Sequence, residues 1–550
     1  MRDLSAARRG MLLVAAGYAA LVLAVFSRSS EARFRLGCGL ALEALFCLPL
    51  VARYARGGLQ RIASPRNAGL AVLLALSLYE PFYRLMGPRK LLYLLLALLV
   101  PLLMLLVHSV RGLIAELAGT ESAAFLRPEE PRRDPRVTAL LTGLGAALLL
   151  TAFWLLFFYP YGNTADSENQ WMQVHGQIPY SDIHSIGHTL FLGLLLKLSD
   201  SFVTVVAVQI VLAALVWGLF AHDFARRSVH GAFLAVLLAG FLTPAAAIDA
   251  WCYPLKDAPY TVCVALLTWL LMRYLDRDHR LTVREGIALG VLLALIYEFR
   301  KNGVVLLLFV GLYFLVELLR RKAWKPLVSA ALALALVLGG VYAYAYGVLK
   351  TESPPNGWGV QVFGTGLVAM AEDGTATPEE LAQIRELVPL DWALEEYRPW
   401  DLRGMLWHSD HDPRIEEDPS LAVFNNGFVL AMCEHKGEIV RLYFSLLPRH
   451  LAACVRNVLY STQSIWGAQG SDHLPFSNVF LLAWLWLLVR ELWDRRMRRT
   501  LWPVFLPVLL NVVSIAISTV TNELRYLLPT TLLCPILTVY ILCKARESRG

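Results

Sequence analysis

The sequence predicts an all-α polytopic membrane protein. Of its 550 residues, 57% are hydrophobic and only 17% are charged, whereas about a quarter of the residues in a soluble protein carry a charge. The mean hydropathy is +0.53. Apolar runs such as MLLVAAGYAALVLAVF (11–26) and VTALLTGLGAALLLTAFWLLFF (137–158) are long enough to cross a bilayer as helices. About fourteen such runs follow one another along the chain.

The first 110 residues contain four predicted spans, at about 11–26, 35–53, 68–86 and 91–110. Arginines precede the first span, as they would in a signal peptide. No small-residue cleavage site follows, so we expect this span to be retained. The next segment, RGLIAELAGTESAAFLRPEEPRRDPR (111–136), is rich in charge and proline and predicts a cytoplasmic linker.

A core is predicted at 137–347. It begins with the span 137–158 and continues into a polar segment, 160–188. The apolar stretch that follows, HTLFLGLLLKLSD, is too short to cross a bilayer. Six further spans are predicted in the core, at about 202–222, 229–247, 259–275, 284–299, 303–320 and 324–347.

The remaining chain predicts a polar domain, 348–474, followed by three spans within 475–550. In the polar domain TPEELAQIRELV predicts a helix, because Thr377 can cap it and Pro378 suits its first position. IVRLYFSLLPRHLAACVRNVL (439–459) mixes arginines with apolar residues, which predicts an amphipathic helix at the membrane interface. The three closing spans are predicted at about 475–494, 501–520 and 526–543.

Charge is distributed unevenly along the chain. The formal net charge is +7, yet residues 351–440 contain seventeen Asp and Glu against five Lys and Arg. Basic clusters recur in the loops between alternate spans, and the positive-inside rule makes those loops cytoplasmic. The same alternation puts 160–188 and 348–474 on the outer face and both termini inside. The basic clusters therefore determine topology, and we expect no nucleic-acid partner.

The polar segment 160–188 holds the first group of candidate functional residues. They are Asp166, Glu168, His175, Asp182, His184 and His188. Ionisable groups beside a span are costly to keep dry, so they indicate a place where a polar molecule is handled. His184 and His188 are four residues apart and, together with Asp166, could ligate a metal ion. Solvated carboxylates and interfacial, hydrogen-bonding histidines are the competing interpretation.

Three further motifs place ionisable residues beside spans. They are Lys256-Asp257 before the span at 259, Arg300-Lys301 in the turn after 284–299, and Arg525 before the last span. An arginine fork and a lysine ammonium both suit phosphate oxygens. The competing interpretations are a local Lys256–Asp257 ion pair, compensation of Arg300 and Lys301 by Glu298 or lipid headgroups, and an Arg525–Glu523 pair.

The order of these motifs follows a known pattern. A span is followed by Asp166, an aromatic and polar helix, Tyr180-x-Asp182-x-His184 and a short apolar helix starting at His188. In this order, and in its Arg-Tyr-x-x-Pro motif at Arg525, the chain resembles the GT-C superfamily of polytopic glycosyltransferases. Within that superfamily it is most similar to an uncharacterised, DUF6020-like bacterial group. One departure is that Ser185 replaces the proline that usually follows the loop histidine.

The resemblance implies transfer of a sugar from a polyprenyl-phosphate donor to an extracytoplasmic acceptor, which is a cell-envelope glycan, lipid or protein. Asp166 matches the general base or the ligand of a divalent metal (Mg or Mn), with Glu168 beside it and Asp257 as a second acidic group. The donor phosphate is assigned to Lys256, Arg300, Lys301 and Arg525, and the substrate to Tyr180, Asp182, His184, His188 and Gln361. The implied fold is a GT-C-like transmembrane helix bundle with an extracytoplasmic mixed domain, surrounded by the lipids of a bacterial plasma membrane.

A transporter or flippase of lipid-linked glycans is the alternative function, and a non-catalytic scaffold in envelope assembly is a third. A transporter would hold its ionisable residues along a path through the middle of the bundle. Here the predicted spans contain few charges, of which Glu43 is the clearest, and the charged motifs cluster at the predicted outer ends. That distribution favours chemistry at the membrane surface.

Overall fold

The chain is helical wherever the structure describes it. The computed structural model describes residues 62–78, 90–119, 134–162, 164–229, 251–353, 358–398, 402–407, 413–417, 426–462, 465, 478–518 and 524–548. These residues form no β-strand, only an isolated bridge between Ser181 and Glu352. The all-α prediction is therefore confirmed for them. The predicted spans 11–26 and 35–53, nearly all of 229–247, and both termini lie outside the described residues.

In the described residues before the polar domain, the chain forms ten helices. They are α1 (Pro65–Ser77), α2 (Lys90–Gly119), α3 (Pro135–Phe153), α4 (Ala165–Val174), α5 (Ile186–Leu196), α6 (Phe202–Arg226), α7 (Asp257–Asp276), α8 (Val283–Phe299), α9 (Val304–Arg320) and α10 (Trp324–Tyr342). A π-helical turn extends α3 to Phe158 and another extends α10 to Val348. The polar segment thus forms α4 and a loop, and α5, at eleven residues, is as short as the sequence predicts.

Twelve helices follow in the described part of 358–548. They are α11 (Gln361–Glu372), α12 (Pro378–Leu387), α13 (Leu390–Glu396), α14 (Arg403–Trp407), α15 (Pro413–Glu417), α16 (Gly427–Glu434), α17 (Lys436–Leu446), α18 (Leu451–Ser461), α19 (Asn478–Leu492), α20 (Arg495–Leu501), α21 (Leu506–Ser518) and α22 (Leu528–Glu547). Single 3₁₀ turns lead into α9, α11, α21 and α22.

Eight helical segments in the described part are long and apolar enough to cross a membrane. They are Leu96–Ile114, Pro135–Phe158, Phe202–Arg226, Asp257–Asp276, Lys301–Arg320, Trp324–Val348, Arg495–Ile517 and Arg525–Glu547. Each coincides with a predicted span, which supports a multi-pass membrane protein. The predicted spans 284–299 and 475–494 correspond to the shorter helices α8 and α19, of which 17 and 15 residues are described.

Local sequence fixes where several helices begin. Asp134 accepts a hydrogen bond from the backbone N–H of Arg136 at the start of α3, where Pro135 occupies the first position. Thr377 and Glu380 form a reciprocal capping box at the start of α12, as the TPEE sequence predicts. Such caps satisfy the amide groups that the first helical turn leaves without partners.

Two helices form the centre of the bundle. The membrane-spanning segments of α7 and α22 are 83% and 89% buried, whereas that of α10 is 6% buried and faces outward. Both central helices begin beside the ionisable motifs described below. They end together at the opposite end of the bundle, where the Lys544 ammonium lies 2.8 Å from an Asp276 carboxylate oxygen and Arg227 binds the other oxygen. The bundle therefore has two chemically distinct ends.

The helices α11 to α18 form a domain with its own apolar core. Leu367, Met370, Phe428 and Met432 are fully or almost fully buried in it. Its described residues form helices but no β-strand, so they do not show the mixed secondary structure that was predicted for this domain. The single amphipathic helix predicted at 439–459 is wrong. The chain forms α17 and α18 instead, and the break falls at Pro448, which has no backbone N–H to donate and whose ring crowds the preceding turn.

Candidate functional site

Asp166 lies in the first turn of α4, and the start of this helix is anchored to the loop that precedes α7. The Thr164 hydroxyl caps α4 by accepting a hydrogen bond from the Ser167 amide at 3.2 Å. The buried Ser167 hydroxyl donates to the carbonyl oxygen of Pro254 at 3.1 Å. This hydrogen bond holds Asp166 at a fixed distance from the loop. It therefore also sets the distance between Asp166 and the Lys256-Asp257 motif, which follows Pro254.

Lys256 reaches across to Asp166. Its ammonium donates a hydrogen bond to Oδ2 of Asp166 at 2.9 Å, although the two residues are 90 positions apart. The loop that carries Lys256 is held from a second side, because Nε2 of the buried Gln209 donates to the Leu255 carbonyl at 3.0 Å. The local Lys256–Asp257 ion pair considered from the sequence is therefore not formed.

Asp257 pairs with Arg300 instead. The Asp257 side chain is 1% exposed and that of Arg300 is 9% exposed, and Nη1 of Arg300 donates to Oδ1 of Asp257. Nε of Arg300 also donates to Oδ1 of Asn302 at 3.2 Å. These contacts leave Asp257 behind the guanidinium, where it orients Arg300. The role of second acidic catalyst stays a prediction.

Tyr526 joins the two arginines. The guanidinium carbon of Arg300 lies 4.4 Å from the centre of the Tyr526 ring, and that of Arg525 lies 5.2 Å from it. Nη1 of Arg525 is also 4.0 Å from Oδ2 of Asp166. The aromatic face stabilises both cations and holds them in fixed positions beside the carboxylate. The structure thus brings together the Asp166 cluster, which consists of Asp166, His184, Lys256, Asp257, Arg300, Arg525 and Tyr526.

The two histidines His184 and His188 of the polar segment have different surroundings. Nδ1 of His184 is 3.4 Å from the Lys256 ammonium, and burial, followed by the charge of Lys256, lowers the pKa of His184 to about 4. His184 is therefore a neutral imidazole at pH 7. His188 is fully buried, and its Nδ1 shares a 2.8 Å hydrogen bond with Oε1 of Gln170. Since α5 begins only at Ile186, the two histidines do not share one helix turn as the metal interpretation requires.

The charges of the cluster keep Asp166 ionised. Burial alone would raise the pKa of the Asp166 carboxyl, but the charges of Lys256 and Arg525, joined by that of His184 once the imidazole is protonated at low pH, hold this pKa well below its usual range. Within the cluster two carboxylates stand beside three cationic side chains, those of Lys256, Arg300 and Arg525. Such a concentration of cations suits an anionic group.

The donor set around Asp166 does not fit a divalent metal. In the described ranges no three His, Cys, Asp or Glu side chains converge in the way a metal ion requires. The Lys256 ammonium already occupies the position beside Oδ2 of Asp166. The Mg or Mn ion that the resemblance implies stays a prediction.

Asp182 and Lys301 form a second contact region, at the junction with the α11–α18 domain. Oδ2 of Asp182 accepts hydrogen bonds from the Tyr346 hydroxyl at 2.9 Å and the Ser353 hydroxyl at 3.1 Å, and the Lys301 ammonium lies 3.8 Å away. The Tyr180 carbonyl accepts from the Glu352 amide at 2.7 Å. These contacts fasten the polar segment to the chain that enters the domain. The substrate roles assigned to Tyr180 and Asp182 stay predictions.

Three other residues named from the sequence lie apart from the cluster. Glu168 is exposed and two positions from Asp166, so it faces away from it on α4. His175 lies at the end of α4 and shares a 2.7 Å hydrogen bond with the exposed Asp200. Gln361 is buried at the start of α11, and none of the described contacts links it to Asp166.

Neutral side chains that were not predicted from the sequence position the cluster. The Tyr260 hydroxyl donates to Oδ1 of Asn511 at 3.0 Å, and Nδ2 of Asn302 donates to the Ser514 hydroxyl at 3.4 Å. With Ser167 and Gln209 they connect α4, α6, α7, α9 and α21. A signal was present, because an amide such as Gln209 or Asn511 inside an apolar span needs a buried hydrogen-bond partner.

Comparison with known families gives one finding. A family of unknown function, DUF6020, matches residues 146–403. The matched part runs from α3 into α14 and includes the predicted site residues except Arg525. No curated protein and no solved structure matches the chain. The similarity therefore concerns the part of the chain that carries Asp166, Lys256 and Arg300, and it assigns no activity.

The buried ion pair leads to a stability prediction. Replacing Arg300 with Met leaves the Asp257 carboxylate buried without a counter-charge, and we expect a loss of about 3–5 kcal/mol. The neighbouring Lys301→Met is the matched control, because the Lys301 side chain is 45% exposed and its ion pair contributes at most about 1 kcal/mol. Denaturant unfolding of the purified protein in detergent micelles measures both.

The paired variant Asp257→Leu/Arg300→Met completes this test. It removes both charges together, so it should recover most of the stability that Arg300→Met loses. Equal stability of Arg300→Met and Lys301→Met would contradict the buried pairing.

Proposed function

We propose that the protein is a membrane glycosyltransferase. It transfers a sugar from a polyprenyl-phosphate donor to a hydroxyl group of an extracytoplasmic acceptor. The observation that carries this proposal is the position of Asp166. An ionised carboxylate lies 2.9 Å from a lysine ammonium and 4.0 Å from an arginine, beside a neutral imidazole, at one end of a bundle of membrane-spanning helices.

The cations of the cluster suit the donor phosphate. A guanidinium binds phosphate oxygens through two parallel hydrogen bonds, and a lysine acts as a point charge. Arg300 and Arg525 stack on the same tyrosine ring, so both are held in place before a ligand arrives. The cluster lies where apolar helices end, which is where the phosphate of a lipid-linked sugar meets water.

The proposed step forms one bond and breaks one. The acceptor hydroxyl oxygen attacks C1 of the sugar, and the bond between C1 and the phosphate oxygen breaks. The leaving polyprenyl phosphate keeps the electron pair of that bond, and Lys256, Arg300 and Arg525 stabilise its charge. Asp166 accepts the proton of the hydroxyl group. The products are the glycosylated acceptor, polyprenyl phosphate and a protonated carboxyl.

Binding of the donor would activate the base. Without donor, the Lys256 ammonium is hydrogen-bonded to Asp166 and lowers its affinity for a proton. A donor phosphate competes for the same ammonium. When Lys256 turns to the phosphate, the desolvated Asp166 carboxylate becomes a stronger base, because burial then raises its pKa with less opposition. Proton transfer is thus coupled to occupation of the donor site.

The acceptor side of the proposal rests on topology. From the positive-inside rule we expect 160–188 on the outer face, and the proposed acceptor is then a glycan, lipid or protein of the cell envelope. The loop before α5 is bound through Asp182 to Tyr346 and Ser353, on the chain that leads into the α11–α18 domain. The acceptor hydroxyl would then approach Asp166 beside this loop.

The first functional prediction concerns Asp166. We expect Asp166→Asn to lower the rate of sugar transfer at least about 100-fold, because an amide cannot accept the hydroxyl proton. Glu168→Gln is the matched control on the same helix and should retain activity. The assay uses purified protein in vesicles with polyprenyl-phosphate sugars and detects product by mass spectrometry.

Two outcomes of this assay would overturn the proposal. Equal transfer by wild type and Asp166→Asn would remove Asp166 from the chemistry. Movement of the lipid-linked sugar across the bilayer by wild type, with no transfer to any acceptor, would instead favour a transporter.

The second functional prediction concerns pH. Lys256→Met removes the principal cation that lowers the pKa of Asp166, while burial continues to raise it. Activity needs the ionised carboxylate and is lost as the pH falls through its pKa. We therefore expect the acid limb of kcat/KM to move to higher pH in Lys256→Met. Lys256→Arg keeps the charge and should keep the limb at low pH. An unmoved acid limb in Lys256→Met would contradict the assignment of Asp166 as the base.

A further inference from the structure

A groove of about 810 Å³ lies between α9 and α21. Its apolar wall is formed by Phe309, Leu312, Val316, Leu506 and Leu510. Of these side chains, Phe309 and Leu312 are each 55% exposed, although they lie in the middle of a membrane-spanning helix. The wall is therefore open to the surroundings of the bundle, which at this depth are hydrocarbon.

One end of the groove is strongly basic. Arg320, Arg321 and Arg499 line it together with Trp502. Arg321 forms a 2.5 Å ion pair with Glu317 on the preceding turn of α9. Arg320 and Arg499 are exposed and have neither an ion pair nor a side-chain hydrogen bond among the residues that the structure describes. Three arginines thus face one carboxylate, and two cations are left to bind an anion.

The groove is separate from the Asp166 cluster. Helix α9 begins just after the Lys301 turn and ends at Arg320, so its seventeen residues place the basic end about 26 Å from the cluster end. Along α21, Ser514 contacts Asn302 at the cluster end, whereas Leu506 lies at the opposite end. An apolar wall therefore runs from the basic end towards the middle of the bundle.

We propose that this groove binds an anionic glycerophospholipid of the bilayer. The lipid phosphate contacts Arg320 and Arg499, an acyl chain lies along Phe309, Leu312 and Val316, and the ring of Trp502 lies at the boundary between headgroup and chain. Trp residues favour that boundary in membrane proteins. A free phosphate ion would leave the apolar wall uncovered, and a zwitterionic lipid would leave the excess positive charge without a partner. An anionic lipid satisfies both parts of the groove.

The test uses the full-length protein in detergent micelles and two lipids with the same acyl chains, phosphatidylglycerol and phosphatidylcholine. Native mass spectrometry counts the lipid that the protein retains. We expect wild type to retain more phosphatidylglycerol than phosphatidylcholine. In Arg320→Gln/Arg499→Gln the ratio of retained phosphatidylglycerol to retained phosphatidylcholine should fall about tenfold. Arg280→Gln/Arg284→Gln is the matched control, because it removes two exposed arginines from the loop after α7 and the start of α8, outside the groove. This control should bind as wild type does.

A second measurement keeps the test valid if the variant fails to fold. A photoactivatable phosphatidylglycerol is cross-linked to wild type, and the labelled peptides are identified. Labels within 309–321 and 499–510 support the proposal, and labels confined to other segments overturn it. Equal retention of both lipids overturns it as well, because the groove then holds bulk lipid only. Inorganic phosphate that displaces the bound lipid at equal concentration would identify a free anion as the ligand and would also overturn it.

Discussion

The bond between Lys256 and Asp166 is the contact on which the arrangement of the site depends. It joins the first turn of α4 to the start of α7, a central helix of the bundle. Both side chains are partly buried, so removing either one leaves the other charge poorly solvated and without a counter-charge. The first turn of α4 is fixed by this pair and by the hydrogen bond between Ser167 and Pro254. Further along the helix, the Trp171 ring packs 4.5 Å from that of Phe202 on α6.

A second pair stabilises the wall behind the first. Asp257 neutralises Arg300 where both are nearly inaccessible, and Tyr526 covers the guanidinium. The same tyrosine ring contacts Arg525, which brings a third cation close to Asp166. Asp257 orients one cation, and in the proposed function Asp166 would yield Lys256 to the donor phosphate. This division of roles would let the site remain folded when it is empty and still bind the donor.

Much of the fold could be predicted from the sequence, because hydropathy and length determine which segments can cross a bilayer. The helix cap at Thr377 and the short helix α5 were likewise readable from local sequence. Pro448 carried the signal that 439–459 is two helices, and the amphipathic pattern obscured it. The pairing of charges could not be predicted. Sequence proximity favours Lys256 with Asp257, yet the actual partners lie 90 and 43 residues away, since helix packing decides which side chains meet.

The central claim is that Asp166 and the donor phosphate compete for Lys256. Binding of polyprenyl phosphate, without a sugar, to wild type and to Asp166→Asn in vesicles tests it most directly. Uncharged polyprenol is the control for contacts of the lipid chain. The account predicts that Asp166→Asn binds polyprenyl phosphate more tightly than wild type, because Lys256 is released, while both bind polyprenol equally. Weaker or equal binding of polyprenyl phosphate by Asp166→Asn would contradict it.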